Sequence, residues 1–321
     1  MNTISNKIAV GDAHSKLILV GEHAVVYGKP AIAMPFSLKV SSRIQKSYGT
    51  IMFESDIYKG SINNMPVEMK GISECIKKTL HYLSEPFEGL SIEIHSSIPL
   101  GRGLGSSSAV AMAIVRSLFA FYEQKLSQKE LFYFVQIAET YAHGSPSGID
   151  MAAEASECPI WFEKGKEAIP LEVGKPLYMV VGDTGRKGDT RTAVENVRNR
   201  YGLNPEKVQK SLDEIGRIAE EAKEALLHED MLTLGKLLDR NQEELMTLGV
   251  SDDVLNVLVE AARNKGALGA KLTGSGLGGC MIALANSREH AKVIAEELLK
   301  SGAFKAWYFS TEGDFNESSI L

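Results

Sequence analysis

The sequence has few cysteines, and they do not form a recognisable pair. The 321 residues contain three cysteines, Cys75, Cys158 and Cys280, without Cys-x-x-Cys spacing, and their odd number leaves one thiol unpaired in any disulfide scheme. This usage is typical of a reduced compartment. The N-terminal segment also lacks the apolar core, flanked by basic residues, that a secretory signal needs. We therefore expect a soluble, cytoplasmic protein.

The sequence also lacks long apolar runs and an excess of basic residues. No run approaches the length that is needed to span a bilayer. The 35 Lys and Arg residues are outnumbered by 41 Asp and Glu residues, which gives a formal net charge of −6. This balance disfavours a general binder of nucleic acids or of membrane surfaces. The chain is nevertheless 44% hydrophobic, enough for a full core, and its length fits one large or two medium domains.

Strand-like and helix-like patterns are mixed along the chain without regular alternation, which favours an α+β fold. The pattern over 90–98 alternates as a half-buried strand does, and apolar spacings of three and four over 73–83 predict an amphipathic helix. A polar, turn-rich stretch near residue 170 predicts two domains, 1–170 and 171–321. Further helices are expected over 107–122, 128–143, 205–228, 230–248, 251–265 and 287–301. Further strands are expected over 4–11, 16–21, 31–46 (a pair), 158–162, 176–185, 281–286 and 303–311.

A glycine- and serine-rich loop runs directly into an apolar helix pattern. Its sequence is Gly101-Arg102-Gly103-Leu104-Gly105-Ser106-Ser107-Ser108-Ala109. Glycines allow tight turns and a close approach of the backbone to a ligand. The unpaired amides and the dipole at the start of the helix favour an anion, and the hydroxyls can bind phosphate or a metal. The loop therefore predicts a polyphosphate site, with a flexible Gly/Ser linker as the alternative interpretation.

A second glycine-rich segment, Gly274–Gly279, formally matches the dinucleotide fingerprint Gly-x-Gly-x-x-Gly. That fingerprint requires a helix opening from the loop, whereas a strand-like run follows here, so an NAD-dependent dehydrogenase is disfavoured. The chain also lacks Gly-x-x-x-x-Gly-Lys-Ser/Thr, which excludes a P-loop enzyme. We interpret Gly274 and Ser275 as part of a turn that either closes over a phosphate or substrate or serves only the fold.

Charged residues in apolar surroundings mark two further segments. Lys16 begins a very apolar strand pattern that ends at Glu22-His23. A lysine at a strand end usually reaches solvent, and a cation beside a carboxylate or phosphate is the functional alternative. Glu139 lies on an otherwise apolar helix pattern, and Asp150 follows a Ser-Pro-Ser-Gly turn. Two such carboxylates beside a serine loop suggest one Mg²⁺ ligand and one base, because Mg²⁺ usually takes only one or two hard oxygens from protein.

Three motifs, in this order, resemble those of the GHMP kinase superfamily. They are KLILVGEHAVVYG at 16–28, GRGLGSSSA at 101–109 and KLTGSGLGGC at 271–280, and the spacing from Glu139 to Asp150 is similar as well. The resemblance covers most of the chain. It implies an N-terminal domain like ribosomal protein S5 domain 2, a ferredoxin-like C-terminal domain and a site between them. The first motif is most similar in form to that of family members that phosphorylate mevalonate.

The resemblance also implies roles for individual residues. Asp150 would take the proton of the substrate hydroxyl, and Lys16 would lie near Asp150 and the γ-phosphate of ATP. Mg²⁺ would be bound by Glu139 and a loop serine, for which Ser107 is favoured and Ser106 and Ser108 are alternatives. ATP would bind through Gly101, Gly103, Leu104, Gly105, Ser106, Ser107 and Ser108. The candidates on the mevalonate side are Glu22, His23, Thr184, Arg191, Gly274 and Ser275.

Two departures from the family pattern lie close to the expected base. His14-Ser15 replaces the usual Pro-Gly of the first motif, and Ser145 replaces the asparagine that usually begins the turn before Asp150. Neither change removes a group that the chemistry needs. The alternative functions are a sister kinase for phosphomevalonate, homoserine or a sugar, and a nucleotide-binding sensor without catalysis. The sequence leaves the oligomeric state open, a homodimer included.

Overall fold

The computed structural model describes residues 7–144, 146–311 and 319–320. The chain forms two compact units that interleave along the sequence. Unit 1 comprises Met1–Ser15, Leu38–Pro99 and Gly105–Ala155, and unit 2 comprises Lys16–Ser37, Leu100–Leu104 and Ser156–Leu321. The predicted boundary near residue 170 would divide the chain into two continuous segments, and it stays a prediction. Within the described residues, no helix is long and apolar enough to span a bilayer.

Unit 1 combines a sheet with four helices. The later part of β2 (Ala31–Thr50) pairs antiparallel with β5 (Glu88–Ser96), which places Ile44 opposite Ile92, both fully buried. Strand β5 pairs parallel with β3 (Met52–Ser55), which pairs antiparallel with β4 (Tyr58–Ser61). Strand β1 (Ile8–Val20) also pairs with β2. The helices are α1 (Lys70–Tyr82), α2 (Ser106–Phe121), α3 (Gln128–His143) and α4 (Ile149–Glu154).

Aromatic rings join three of these helices in the core of unit 1. The ring of Phe134 on α3 lies 5.4 Å from that of Tyr82 on α1 and 6.1 Å from that of Phe119 on α2. Helix α3 begins with a capping box, in which Ser127 and Glu130 each accept a hydrogen bond from the other's backbone N–H. Helix α2 is apolar on almost every side and is buried accordingly.

Unit 2 contains an antiparallel five-stranded sheet in the order β12-β11-β8-β10-β9. These strands are β8 (Tyr178–Asp183), β9 (Gly269–Thr273), β10 (Cys280–Ala285), β11 (Lys305–Ser310) and β12 (Ser319–Ile320). Its helices are α5 (Thr190–Leu203), α6 (Pro205–Leu227), α7 (Met231–Leu248), α8 (Asp253–Asn264) and α9 (Arg288–Lys300). The start of β2 pairs with β6 (Ile160–Phe162), which pairs with β7 (Ile169–Pro170). The predicted α+β class is confirmed.

Some elements differ from the sequence prediction. Residues 8–20 form one continuous strand, because Ser15 is fully buried and keeps the alternation of buried and exposed side chains. Residues 31–50 likewise form one strand instead of a pair. Helix α5 does not appear in the sequence prediction, because it is largely polar and only Ala193 and Val197 are buried.

Candidate active site

The segment Leu100–Leu104 at the start of the serine-rich loop packs against the second glycine-rich loop inside unit 2. A Cβ atom built on Gly274 would lie 2.8 Å from both Cα and O of Gly103, and one built on Gly279 would lie 2.8 Å from Arg102 O. The φ angles of Gly274 and Gly279 are 80° and 77°, so both conformation and space require glycine. Strand β10, and no helix, follows this loop. The second loop therefore supports the first and does not form a dinucleotide fingerprint.

Lys16 is fixed to the first loop and does not reach solvent. Its Nζ donates to Gly103 O at 2.8 Å, its backbone N donates to Leu104 O at 3.2 Å, and only 2% of the residue is exposed. Thr273 of β9 holds the same part of β1, because its Oγ1 accepts from Ile18 N at 3.0 Å and donates to Ile18 O at 2.9 Å. An ammonium group is thus held against the backbone of the candidate phosphate loop.

The chain makes a strained turn after β1. Ala24 N donates to Glu22 O at 2.7 Å, and the intervening His23 has φ 61° and ψ −47°, so these residues form a γ-turn of the rare positive-φ type. His23 Nε2 lies 2.9 Å from Ser275 O. Because a carbonyl oxygen only accepts, Nε2 carries the proton and Nδ1 is an acceptor. Burial lowers the pKa of His23 to about 4, against the opposing effect of this hydrogen bond, so the ring is neutral at neutral pH.

Glu22 forms a buried ion pair with Lys271 of β9. Lys271 Nζ donates to Glu22 Oε1 and, at 2.5 Å, to Leu272 O; the two residues are 0% and 1% exposed. Burial raises the pKa of Glu22, and the charges of Lys271 and Lys16 oppose that shift. Burial likewise lowers the pKa of Lys271, and Glu22 opposes it. The site residues predicted from the sequence do not include Lys271, although a lysine within the short apolar stretch before the second loop is an available signal.

Two buried side-chain amides of α7 hold the segments around this pair. Asn241 Oδ1 accepts from Gly21 N at 3.4 Å, and Gln242 Oε1 accepts from Leu272 N at 2.9 Å. Gln242 Nε2 in turn donates to Ser251 Oγ at 3.0 Å. One helix therefore fixes both the first and the third motif. The sequence pattern of α7 is that of an ordinary amphipathic helix, so the role of this Asn-Gln pair is not visible in the sequence.

Arg102 also links the first loop to the sheet of unit 2. Its Nε lies 3.2 Å from Oδ1 of Asp183, the last residue of β8. Burial raises the pKa of Asp183, and a 2.8 Å hydrogen bond from Gly185 N and the charge of Arg102 oppose the shift. This ion pair is a second contribution to loop position that the sequence does not reveal.

Two candidates for the substrate side lie just after β8. Thr184 Oγ1 donates to Gly279 O at 2.8 Å, so its hydroxyl supports the second glycine loop. Arg191 is exposed in the first turn of α5. Their proposed contacts with substrate stay predictions.

Unit 1 contains the serines of the first loop. Ser106, Ser107 and Ser108 form the first turn of α2, after Gly105 as the N-cap. Ser108 is buried, and its Oγ donates to Glu154 Oε1 at 2.8 Å and lies 3.1 Å from Gly105 O. Ser108 is thus buried within unit 1, whereas Ser106 and Ser107 are partly exposed. This difference supports Ser107 or Ser106 as the serine that meets a ligand.

Unit 1 also contains both predicted carboxylates. Glu139 on α3 is 3% exposed, and Asp150 is partly buried in the first turn of α4. Among the described residues, no group of three or more His, Cys, Asp or Glu could hold a metal. Mg²⁺ that arrives with a nucleotide needs only one or two protein oxygens, and the Glu139 carboxylate and the Ser107 hydroxyl are hard oxygen donors of that kind. Ser145, one of the two departures, lies outside the described residues.

Comparison with known proteins identifies the family. The GHMP kinases N terminal domain matches residues 71–157, and the GHMP kinases C terminal domain matches residues 222–303. Mevalonate kinase of Pyrococcus abyssi is 35% identical over an alignment of 311 residues, and the alignment covers 90% of this chain and 92% of that protein. Mevalonate kinase of Pyrococcus furiosus is 38% identical over 309 residues, with coverage of 89% and 92%. The crystal structure of L. major mevalonate kinase in complex with R-mevalonate is 26% identical, with a TM-score of 0.82 and coverage of 97% and 98%.

The chain therefore belongs to the GHMP kinase family and is a phosphotransferase with an alcohol acceptor. Within that family, its similarity to the mevalonate kinases extends over almost its whole length. The family and the GHMP kinase fold predicted from the three motifs are confirmed. The roles of individual residues stay predictions.

Proposed function

We propose that the protein is an ATP-dependent mevalonate kinase, which transfers the γ-phosphoryl group of ATP to the primary hydroxyl of mevalonate and so forms 5-phosphomevalonate for isoprenoid biosynthesis. The observation that carries this proposal is the similarity to mevalonate kinases over about nine-tenths of the chain. The first motif supplies a neutral His23 and a buried Glu22, groups suited to the hydroxyls of mevalonate.

In the proposed reaction, the hydroxyl oxygen forms a bond to the γ-phosphorus while the bond from that phosphorus to the β,γ-bridging oxygen breaks, and ADP leaves. Asp150 takes the hydroxyl proton as attack proceeds, which contributes about 10²–10⁴ to the rate. Lys16, fixed on Gly103 O, stabilises charge on the γ-phosphoryl group. Backbone amides at the start of α2 bind the remaining phosphates.

Glu139 and Ser107 are the residues that we propose to hold Mg²⁺. When bound, the ion neutralises phosphate charge during transfer. Glu139 suits this role because its carboxylate offers the hard oxygen atoms that Mg²⁺ prefers. On the substrate side, Nδ1 of neutral His23 accepts a hydrogen bond from a mevalonate hydroxyl, and Arg191 and Thr184 are weaker candidates for contacts with mevalonate.

An assay that couples ADP release to a colorimetric or fluorescent signal tests the proposal. The purified protein is supplied with ATP, Mg²⁺ and one alcohol at a time: mevalonate, phosphomevalonate, homoserine or galactose. We expect the highest kcat/KM with mevalonate. A higher value with another alcohol would identify a sister kinase, and no ADP with any alcohol would favour a nucleotide-binding sensor.

Three further predictions concern the protein as a whole. We propose a domain boundary near residue 170, a cytoplasmic location and a possible homodimer. Limited proteolysis tests the boundary, fractionation of cells that express the protein tests the location, and light scattering after size-exclusion chromatography tests the oligomeric state.

A further inference from the structure

The buried pair of Glu22 and Lys271 uses only one of the two carboxylate oxygens. Oε1 accepts from Lys271 Nζ, whereas Oε2 is buried and accepts no hydrogen bond from any residue of the described ranges. A buried carboxylate oxygen without a donor is costly, because its interaction with water is lost and not replaced. A bound ligand can supply the missing hydrogen-bond donor for such an oxygen.

Lys271 itself is fixed from several sides. It is fully buried, and its Nζ also donates to Leu272 O. The backbone N of Leu272 in turn donates to Gln242 Oε1. A buried ion pair is weak support for stability, since a well-packed apolar pair often stabilises a fold as much or more. The stability of the fold alone therefore does not account for the burial of this ion pair.

The charges around Glu22 determine its protonation state. The cationic groups that act on it are Lys271 of β9 and Lys16 of β1, and the adjacent His23 is neutral. Burial alone favours the protonated carboxyl, and Lys271 supplies the largest opposing effect. A protonated carboxyl would present a donor where the ionised group presents an acceptor.

We propose that Lys271 is a positioning residue of the substrate site: it keeps Glu22 ionised and fixes Oε1, so that Oε2 accepts a hydrogen bond from a hydroxyl group of the acceptor alcohol. This inference rests on the proposed function, because it places Glu22 against the acceptor. It adds a residue that does not touch the substrate and acts only through the carboxylate.

Lys271→Met tests the inference, because methionine fills a similar volume without charge. Glu22 then becomes protonated near neutral pH, and kcat/KM for mevalonate falls by about 10- to 100-fold, the loss expected for a hydrogen bond to a charged group. The ratio of variant to wild-type kcat/KM rises as pH increases from about 6 to about 9, because the carboxyl loses its proton again. The KM for ATP changes by less than about twofold if the loop is unaffected.

The double variant Glu22→Gln/Lys271→Met separates positioning from a purely structural role. It lacks the carboxyl through which Lys271 acts, so its activity is close to that of Glu22→Gln, and the ratio of the two activities does not change with pH. Lys271→Arg retains the charge and restores most of the activity. Lys175→Met is a matched control, since Lys175 pairs with Glu229 at 3.0 Å on the surface, and it should behave like the wild type.

A second measurement does not depend on turnover. The side-chain carboxyl ¹³C resonance of Glu22, assigned by its loss in Glu22→Gln, reports protonation directly. We expect an ionised Glu22 in the wild type at neutral pH and a protonated one in Lys271→Met. If Lys271→Met does not fold, Lys271→Gln replaces it in both measurements.

Two results would overturn the inference: an ionised Glu22 in the folded Lys271 variant at neutral pH, or a loss of activity with the same pH dependence in the presence and absence of the Glu22 carboxyl. A wild-type protein that phosphorylates no alcohol would instead overturn the proposed function. In that case the resonance still decides whether Lys271 keeps Glu22 ionised.

Discussion

The close packing of the two glycine loops predicts a large effect of one added methyl group. In Gly274→Ala, the new Cβ would lie 2.8 Å from Cα and O of Gly103. Carbon atoms in contact prefer separations of about 3.5–4.0 Å, so the two backbones must move apart by about 0.7 Å or more. Gly103 O is the acceptor for Lys16 Nζ, so this displacement also moves the ammonium group.

The cost of Gly274→Ala has two parts. Alanine in the left-handed conformation costs about 1–2 kcal/mol, and overpacking against the neighbouring backbone adds about 1–3 kcal/mol. A shift of about 1 Å in a catalytic group can lower the rate by about 10²-fold, so we expect kcat/KM for ATP to fall by about 10- to 100-fold.

Gly165→Ala is the matched control for this variant. Gly165 has φ 83°, close to the 80° of Gly274, but an added Cβ meets no atom within 4 Å. This control therefore has the conformational cost without the collision. We expect near wild-type kinetics for Gly165→Ala, and equilibrium unfolding in urea should show a smaller loss of stability than for Gly274→Ala. Equal kinetics and equal stability of the two variants would refute the proposed support of one loop by the other.

Three further predictions concern the carboxylates and the histidine. Asp150→Asn should lower kcat by about 10² or more with little change in ATP affinity by calorimetry, and a variant with half the wild-type turnover would remove Asp150 from the role of base. Glu139→Gln should raise the Mg²⁺ concentration needed for half-maximal rate, and an unchanged Mg²⁺ dependence would contradict the ligand assignment. Burial lowers the pKa of folded His23 from 6.5 to about 4, so its stabilising effect is complete above pH 6.5 and is lost as the pH falls towards 4. Urea unfolding at a series of pH values should therefore show a weaker acid destabilisation for His23→Gln than for the wild type.

Much of the fold could be predicted from periodicity, since long amphipathic helices carry a strong signal. The predicted helix 205–228 corresponds to Pro205–Leu227, and 128–143 corresponds to Gln128–His143. Strand β9 is harder to predict, because it has only five residues, includes Lys271 and runs directly into a glycine loop. Periodicity describes which residues are buried, and in β9 a charged residue is buried because of a partner far away in the sequence.

Part of the candidate site could also be predicted from the local sequence. Glycines, serines and isolated carboxylates are visible because their residue types are unusual in their local surroundings. The partner of Glu22 is not visible, since Lys271 lies 249 positions away and the two meet only after folding. The support that Gln242 gives to β9 is likewise a tertiary contact from an ordinary helix.

Because the two units interleave along the sequence, the ribosome synthesises the first loop long before the segment that supports it. Leu100–Leu104 belongs to unit 2, and its packing partner at Gly274 lies in the last sixth of the chain. A ribosome-bound chain that ends before β9 therefore has the sequence of the first loop but not its support. Nascent chains should acquire nucleotide affinity late in translation, and a fragment that ends near the middle of the chain would make a poor minimal ATP-binding module.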